Sequence, residues 1–262
     1  MEKQDEFYIG YVDKVGPQTK KSLKKFTFGA IGVLLLASLL FAFFQKPARA
    51  SAFDFDTPTK ISGTYFEVPY PMLRVKLGES VHKNILLLGF GKFGANKYIN
   101  DIREDVGDLN GRHLAIEGNL VYYNGKTLLQ VDDGQKISLD EEIIVPPLKP
   151  FSLGHLEITG EIVDPKCYFG VMKPGFGKIH RSCAALCIAG GIPPVLVSSD
   201  KNVFSDYFLL VDMKGNPLHK DILPYIGRPL QVGGKVEKIG DWHLLRIDVD
   251  SIKKMDKKSS IY

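Results

Sequence analysis

Gly111-Arg112-His113-Leu114-Ala115-Ile116-Glu117-Gly118-Asn119-Leu120 recurs without a gap 116 positions later, as Gly227-Arg228-Pro229-Leu230-Gln231-Val232-Gly233-Gly234-Lys235-Val236. Eight positions beyond each copy, Leu128-Leu129-Gln130-Val131 falls on Leu244-Leu245-Arg246-Ile247. A repeat at this distance must be recognised before any fold is assigned, because it says that one supersecondary unit is used twice. Each copy reads as a β-hairpin. Leu114, Ile116 and Leu120, and in turn Leu230, Val232 and Val236, keep the alternation of a strand with one buried face. Asn124-Gly125 supplies a turn with two positive-φ positions, and Gly240-Asp241 stands in the same place in the second copy. Gly118 and Gly234, inside the first strand of each copy, are expected to mark a bend or bulge of the kind a small closed barrel needs.

Working outward from the second copy, Leu156-Glu157-Ile158-Thr159-Gly160-Glu161-Ile162-Val163, Val195-Leu196-Val197 and Tyr207-Phe208-Leu209-Leu210-Val211 add three strands. A short helical or turn segment over 221–226 leads into the hairpin. Five strands with a connector before the fourth resemble an OB-fold, a five-stranded Greek-key barrel. The resemblance covers about residues 152–252 and rests on pattern alone. The expected fold is mainly β, with two tandem OB-like barrels at 60–145 and 152–255 and a stiff Pro-rich linker at 146–151. Many OB-folds bind nucleic acid or sugars, but fold does not dictate function. A net charge of +4 over 262 residues gives no concentrated basic face, and no aromatic stacking positions stand out, so nucleic acid is not expected as a partner.

Upstream of both copies, 26–44 is a run of nineteen uncharged residues dominated by Leu, Phe, Ala and Val. As a helix it is roughly 28 Å long, enough to cross the hydrocarbon core. Lys14, Lys20, Lys21, Lys24 and Lys25 precede it, against Lys46 and Arg49 just beyond it, so the tail 1–25 is expected in the cytoplasm. The rest of the chain is then exported, placing the protein in a cell inner membrane with its bulk in the periplasm. Ala48-Arg49-Ala50 and Ala50-Ser51-Ala52 offer small-x-small geometry for signal cleavage, a competing reading that exports the same residues. The tail carries Phe7-Tyr8-Ile9-Gly10-Tyr11-Val12, an aromatic cluster suited to the membrane interface or an integral-membrane partner.

The chain has three cysteines, all within twenty-one residues, inside a segment inserted at 164–194 between the first two strands of the second barrel. The stretch 178–189 is Ala-rich and Pro-free, and Gly190-Gly191 before Pro193 is a helix stop. As a helix it sets His180, Cys183 and Cys187 on one face, at i, i+3 and i+7, where Cys167 can fold back onto them. Three readings compete. A disulfide from Cys167 to Cys183 or Cys187 would staple the insertion, since two cysteines at i and i+4 of one helix do not meet disulfide geometry. Alternatively Cys167, His180, Cys183 and Cys187 form a His/Cys₃ set suited to zinc or copper, although H-x2-C-x3-C is not a common zinc-finger spacing. The third reading is a reactive thiol at Cys183 or Cys187, its pKa lowered by His180, for which no orienting residue is identifiable. Lys173, Lys178 and Arg181, around Gly175 and Gly177, offer a weaker anion cradle at the helix start.

No acid/base pair points to catalysis. The function expected from these residues is a non-enzymatic accessory or assembly protein that works with an integral-membrane partner, its Cys/His loop stapled or metal-binding. The alternative is a redox or metal-transfer protein that uses the cluster directly, and an enzyme for small anions stands third.

Overall fold

A computed structural model of the chain describes residues 16–44, 51–200 and 203–255. The chain divides into two compact units, 1–48 and 49–262. In the first, helix α1 (Pro17–Phe44) runs for 28 residues with none of them buried, and is long and apolar enough to span a membrane. It starts nine residues before the uncharged run because Pro17 suits the first helical position and the intervening lysines are good helix formers. The aromatic cluster at 7–12 and the lysines at 257 and 258 lie outside the described residues.

The second unit is built of strands. Strand β1 (Ser51–Phe53) precedes β2 (Thr59–Phe66), β3 (Met72–Lys76) and β4 (His82–Gly89); helix α2 (Asn96–Val106) follows, then β5 (Arg112–Tyr123), β6 (Lys126–Val131) and β7 (Ile137–Ile144). After residues 145–150 come β8 (Phe151–Val163), helix α3 (Gly177–Ala189), β9 (Val195–Ser198), β10 (Tyr207–Asp212), β11 (Pro229–Ile239), β12 (Trp242–Ile247) and β13 (Lys253–Lys254). Strands β2, β3, β4, β6 and β5 close into one barrel, with β4 and β6 parallel and the other pairs antiparallel. Strands β8, β9, β10, β12 and β11 close a second in the same order, with β10 and β12 parallel. Strands β1 and β7 add to β5, and β13 to β11.

The repeat survives in three dimensions to the atom. A Cβ on Gly118 would stand 2.4 Å from the carbonyl oxygen of Gln130, and one on Gly234 2.3 Å from that of Arg246, residues that are themselves 116 apart. These glycines therefore mark a close backbone crossing, not the expected bulge: pairing is regular through Gly118, and the register shift of β11 falls between Val236 and Glu237. Both glycines are held by the barrel's first strand where pairing with the second arm of the hairpin sets in, at Gly234 itself and at Asn119, one residue after Gly118. In the turns, Asn124 and Gly125 both have positive φ, whereas in the second copy only Gly240 does.

Leu114, Ile116 and Leu120 point into the first barrel's core, and Leu230, Val232 and Val236 into the second's. A third apolar cluster belongs to neither interior. It joins Leu86 and Leu88 of β4 and Leu128 of β6 to Val195 and Val197 of β9 and Leu209 of β10. In β4, Ile85 and Leu87 fill the barrel while Leu86 and Leu88 fill this seam; in β10, Phe208 and Leu210 go inward while Tyr207, Leu209 and Val211 face the seam. A strand buried on both faces has no reason to alternate with polar residues. The two barrels are thus packed on one another across an apolar seam.

Polar contacts fix the register of that seam. Trp242 is fully buried in it and donates its indole N–H to the carbonyl of Asn84, 2.9 Å away. The second hairpin turn docks on the first barrel, Asp241 accepting from the Asn84 backbone N–H at 2.8 Å and pairing with Lys83 at 3.0 Å. Lys126 donates to the Asp241 carbonyl and lies 4.9 Å over the Trp242 ring; burial pulls its ammonium down to about 8. Burial, with the charges of Lys126 and Lys238, likewise pulls His243 from 6.5 to about 4. A base whose folded value is depressed costs stability where the unfolded chain protonates and the folded chain does not. Stability should therefore fall as pH drops from about 6.5 towards 4, and the fall should be shallower in a His243→Gln chain. Thermal melts of both across that range check this; parallel curves would refute it.

Candidate metal centre

Between β8 and β9 the chain leaves the second barrel and returns through the segment that holds all three cysteines. It first turns at Asp164, which is fully buried. Its Oδ1 accepts from the Lys166 backbone N–H at 2.9 Å and its carbonyl from that of Tyr168 at 3.0 Å, closing a turn of the kind Asp favours. A π-helical turn follows, Cys167–Val171. Tyr168 and Phe169 wedge it into the seam, edge-on to Tyr207 at 6.3 and 5.2 Å, with Phe169 stacked at 6.4 Å on Trp242. Burying these two rings is a large apolar gain, and it carries the adjoining Cys167 inside with them.

Helix α3 then packs against both barrels. Arg181 donates to the Gly227 carbonyl from Nη2 at 2.8 Å and Nε at 3.2 Å, tying α3 to the second barrel. At the far end the Gly94 N–H donates to the Gly190 carbonyl at 2.9 Å, tying it to the first. Lys166 makes a further tie: its buried ammonium donates to the carbonyls of Gly89 and Gly91, each at 2.8 Å. The expected helical face is present. His180, Ala184, Cys187 and Ile188 are buried, and Cys183 sits half-buried at the edge of that face.

The four expected ligands come together in two groups, not one. Cys167, His180 and Cys183 place one ligand atom each within 4.8 Å of one another; so do Asp164, Cys167 and Cys187. Cys167 is common to both. Sequence reasoning missed Asp164, whose signal was a lone acid between an apolar strand and Pro165, three residues before the cysteine. The disulfide is not formed: Cys167, Cys183 and Cys187 are all free thiols. Instead, the Cys167 and Cys187 sulfurs lie within 4.8 Å of one another as free thiols, without the short, specific geometry that an S–S bond demands.

Electrostatics give the cluster its character. The hydrogen bond with Cys187, then burial, then the Asp164 charge push the Cys167 thiol far above the ordinary thiol range. Burial lowers His180, with Asp164 opposing and Lys92 reinforcing the shift, and burial lowers Lys166, with Asp164 opposing. Asp164 Oδ2 and His180 Nε2 are among the several buried side-chain polar atoms with no hydrogen-bond partner among the described residues, and they fall together in this cluster. Such atoms are rare in folded chains and call for an explanation, an ion being one. The donors fit a thiophilic cation, with sulfur from three cysteines, one imidazole nitrogen and one carboxylate oxygen.

Two of the three residues expected to cradle an anion have other partners. Lys173 donates to the Tyr168 carbonyl at 3.1 Å and Arg181 to Gly227, while Lys178 is exposed. The N-terminus of α3 is met by a carboxylate of the protein itself, the Gly177 N–H donating to Glu161. No protein family, curated protein or solved structure matches the chain.

Proposed function

We propose that the chain is a membrane-anchored accessory protein whose two barrels carry a binding site for one zinc or copper ion, formed by Cys167, His180, Cys183 and Cys187 with Asp164. The observation that carries this reading is the pair of partnerless buried atoms, Asp164 Oδ2 and His180 Nε2, each within a ligand triad that shares Cys167. A cation among these groups takes up the lone pairs that the fold leaves unused, and it supplies the charge that thiolates need once they lose their protons. Affinity should therefore rise with pH. The lysine excess before the uncharged run of α1 supports a cytoplasmic N-terminus, with the barrels exported to the periplasmic face of an inner membrane. In such an oxidising space a bound ion also keeps three crowded thiols from pairing. The shared strand order, with its parallel closing pair, supports reading both barrels as OB-like Greek keys, the second carrying the centre in an insertion. The anchoring helix and the aromatic tail support an integral-membrane protein or complex as partner.

The test is purification of the full chain in mild detergent followed by elemental analysis. About one equivalent of zinc or copper is expected, lost when Cys167 becomes Ala and held more weakly when His180 does, together with a co-purifying membrane protein. A metal-free chain with unaltered thiols that also takes up no added zinc or copper would sink the metal reading; a chain that purifies alone would sink the accessory one. The second reading, a metal-transfer protein, has one observation in its favour: Cys183 is only half-buried, so the centre has a side open to exchange.

A further inference from the structure

The two triads are not equivalent. Asp164, Cys167 and Cys187 are all buried, at 0%, 4% and 2% exposure, whereas the triad of Cys167 and His180 is completed by the half-buried Cys183. One group is therefore an inner position and the other an outer one, and the shared Cys167 Sγ lies within 4.8 Å of every other ligand atom in both. At the outer position stands a residue of the other barrel. Lys92, on the exposed loop that follows β4, places Nζ 3.5 Å from the Cys183 Sγ. The loop is held there by the main chain, through the bond from Gly94 to Gly190 at the end of α3. An ammonium on this sulfur occupies the approach a cation must use, and its charge repels one. Being exposed, it can swing into water at little cost.

We propose that metal loads this centre from the outside in: Cys183, guarded by Lys92, receives the cation first, and Cys167 passes it to the resting position at Asp164 and Cys187. The proposal rests on the metal-binding reading above. In the first step Lys92 turns away with its charge intact, the Cys183 thiol gives its proton to water, and the sulfur lone pair binds the cation. In the second, the Cys167 and Cys187 thiols give up their protons, one to the Cys183 thiolate as it lets go and the other to water, and ligand exchange at Cys167 moves the cation inward without any change of oxidation state. Lys92 is a positioning residue here, setting how fast the centre fills and not which atoms hold the ion. Release to a partner follows the same steps backwards, which makes the outer position the face a recipient would have to meet.

The experiment follows zinc(II) uptake by the full chain in detergent by stopped flow, and its return to a chromophoric chelator. A Lys92→Met chain is expected to load about tenfold faster at low salt, at the modest end of what a local charge does to association rates, and the gain should fade as salt rises. Cys183→Ser should load at least about tenfold more slowly, and Cys187→Ser should release zinc at least about tenfold faster, since single-ligand losses exceed the usual cost of an outer-shell change. Lys92→Met loading at the wild-type rate, or Cys183→Ser loading as fast as wild type, would overturn the route while leaving the centre standing. A wild-type chain that takes up no zinc overturns the centre and the route together.

Discussion

A Cys167→Ala chain is expected to bind neither zinc nor copper, while Cys183→Ala and Cys187→Ala chains each keep weakened binding. The difference follows from the overlap of the triads. Cys183 and Cys187 serve one group each, so losing either leaves three ligand atoms of the other, but Cys167 serves both. Its removal leaves His180 with Cys183 and Asp164 with Cys187, two pairs that do not amount to a site. Ligand binding stabilises a fold by mass action, by about 2.7 kcal/mol at a hundred times Kd. For a globular part of this size that is a rise in Tm of roughly 5–10 °C. Added zinc should produce such a rise in the wild type, a smaller one in each single-triad variant, and none in Cys167→Ala. An equal rise in Cys167→Ala would mean that the metal binds elsewhere.

Gly190→Ala should be among the most damaging single-methyl substitutions in the protein. A Cβ there would stand 1.9 Å from the Lys92 carbonyl oxygen and 3.3 Å from that of Leu186, so the added carbon meets main chain on both sides and neither can rotate away. Relief requires the end of α3 to lift from the first barrel, breaking the bond from Gly94 to Gly190 and opening the seam beside Cys187. Overpacking of this kind costs about 1–3 kcal/mol where side chains can yield and more where only backbone can. A loss of at least about 3 kcal/mol is expected, or roughly 6–12 °C in Tm. The guard on the centre should be lost with it, because Lys92 and Cys183 are brought together by this contact. Gly78→Ala is the control: nothing lies within 4 Å of its Cβ, and its melt should match the wild type. A Gly190→Ala chain that melts with the control would show the helix end to be free of the first barrel.

Much of the fold was legible because strands and turns obey local rules. The repeat placed both hairpins, the positive φ of Asn124 and Gly125 follows from the side chains those turns tolerate, and the Ala-rich stretch at 178–189 became α3 almost to the residue. The helical face that carries His180 and Cys187 is a consequence of period alone. Less legible was Asp164, since a lone aspartate before a proline is an ordinary turn residue until its second oxygen is found buried. Illegible altogether was Lys92, which lies 91 positions from the sulfur it touches and in the other barrel.

The seam shows where the boundary falls. Ile85-Leu86-Leu87-Leu88 and Tyr207-Phe208-Leu209-Leu210-Val211 announce, by their lack of alternation, strands buried on both faces. Composition and period thus determined by themselves an apolar helix of membrane-spanning length, two copies of a β-hairpin and one helical face bearing cysteine and histidine. Which apolar face meets which is a matter of packing between segments far apart in the chain, and only the tertiary structure decided it. Closing the barrels on one another carried Cys167 inward on two aromatic side chains, set Asp164 beside it and brought Lys92 across from the other barrel. Burial and charge there are sums over neighbours that no local pattern contains, which is why the candidate ligands could be named from the sequence but the centre could not.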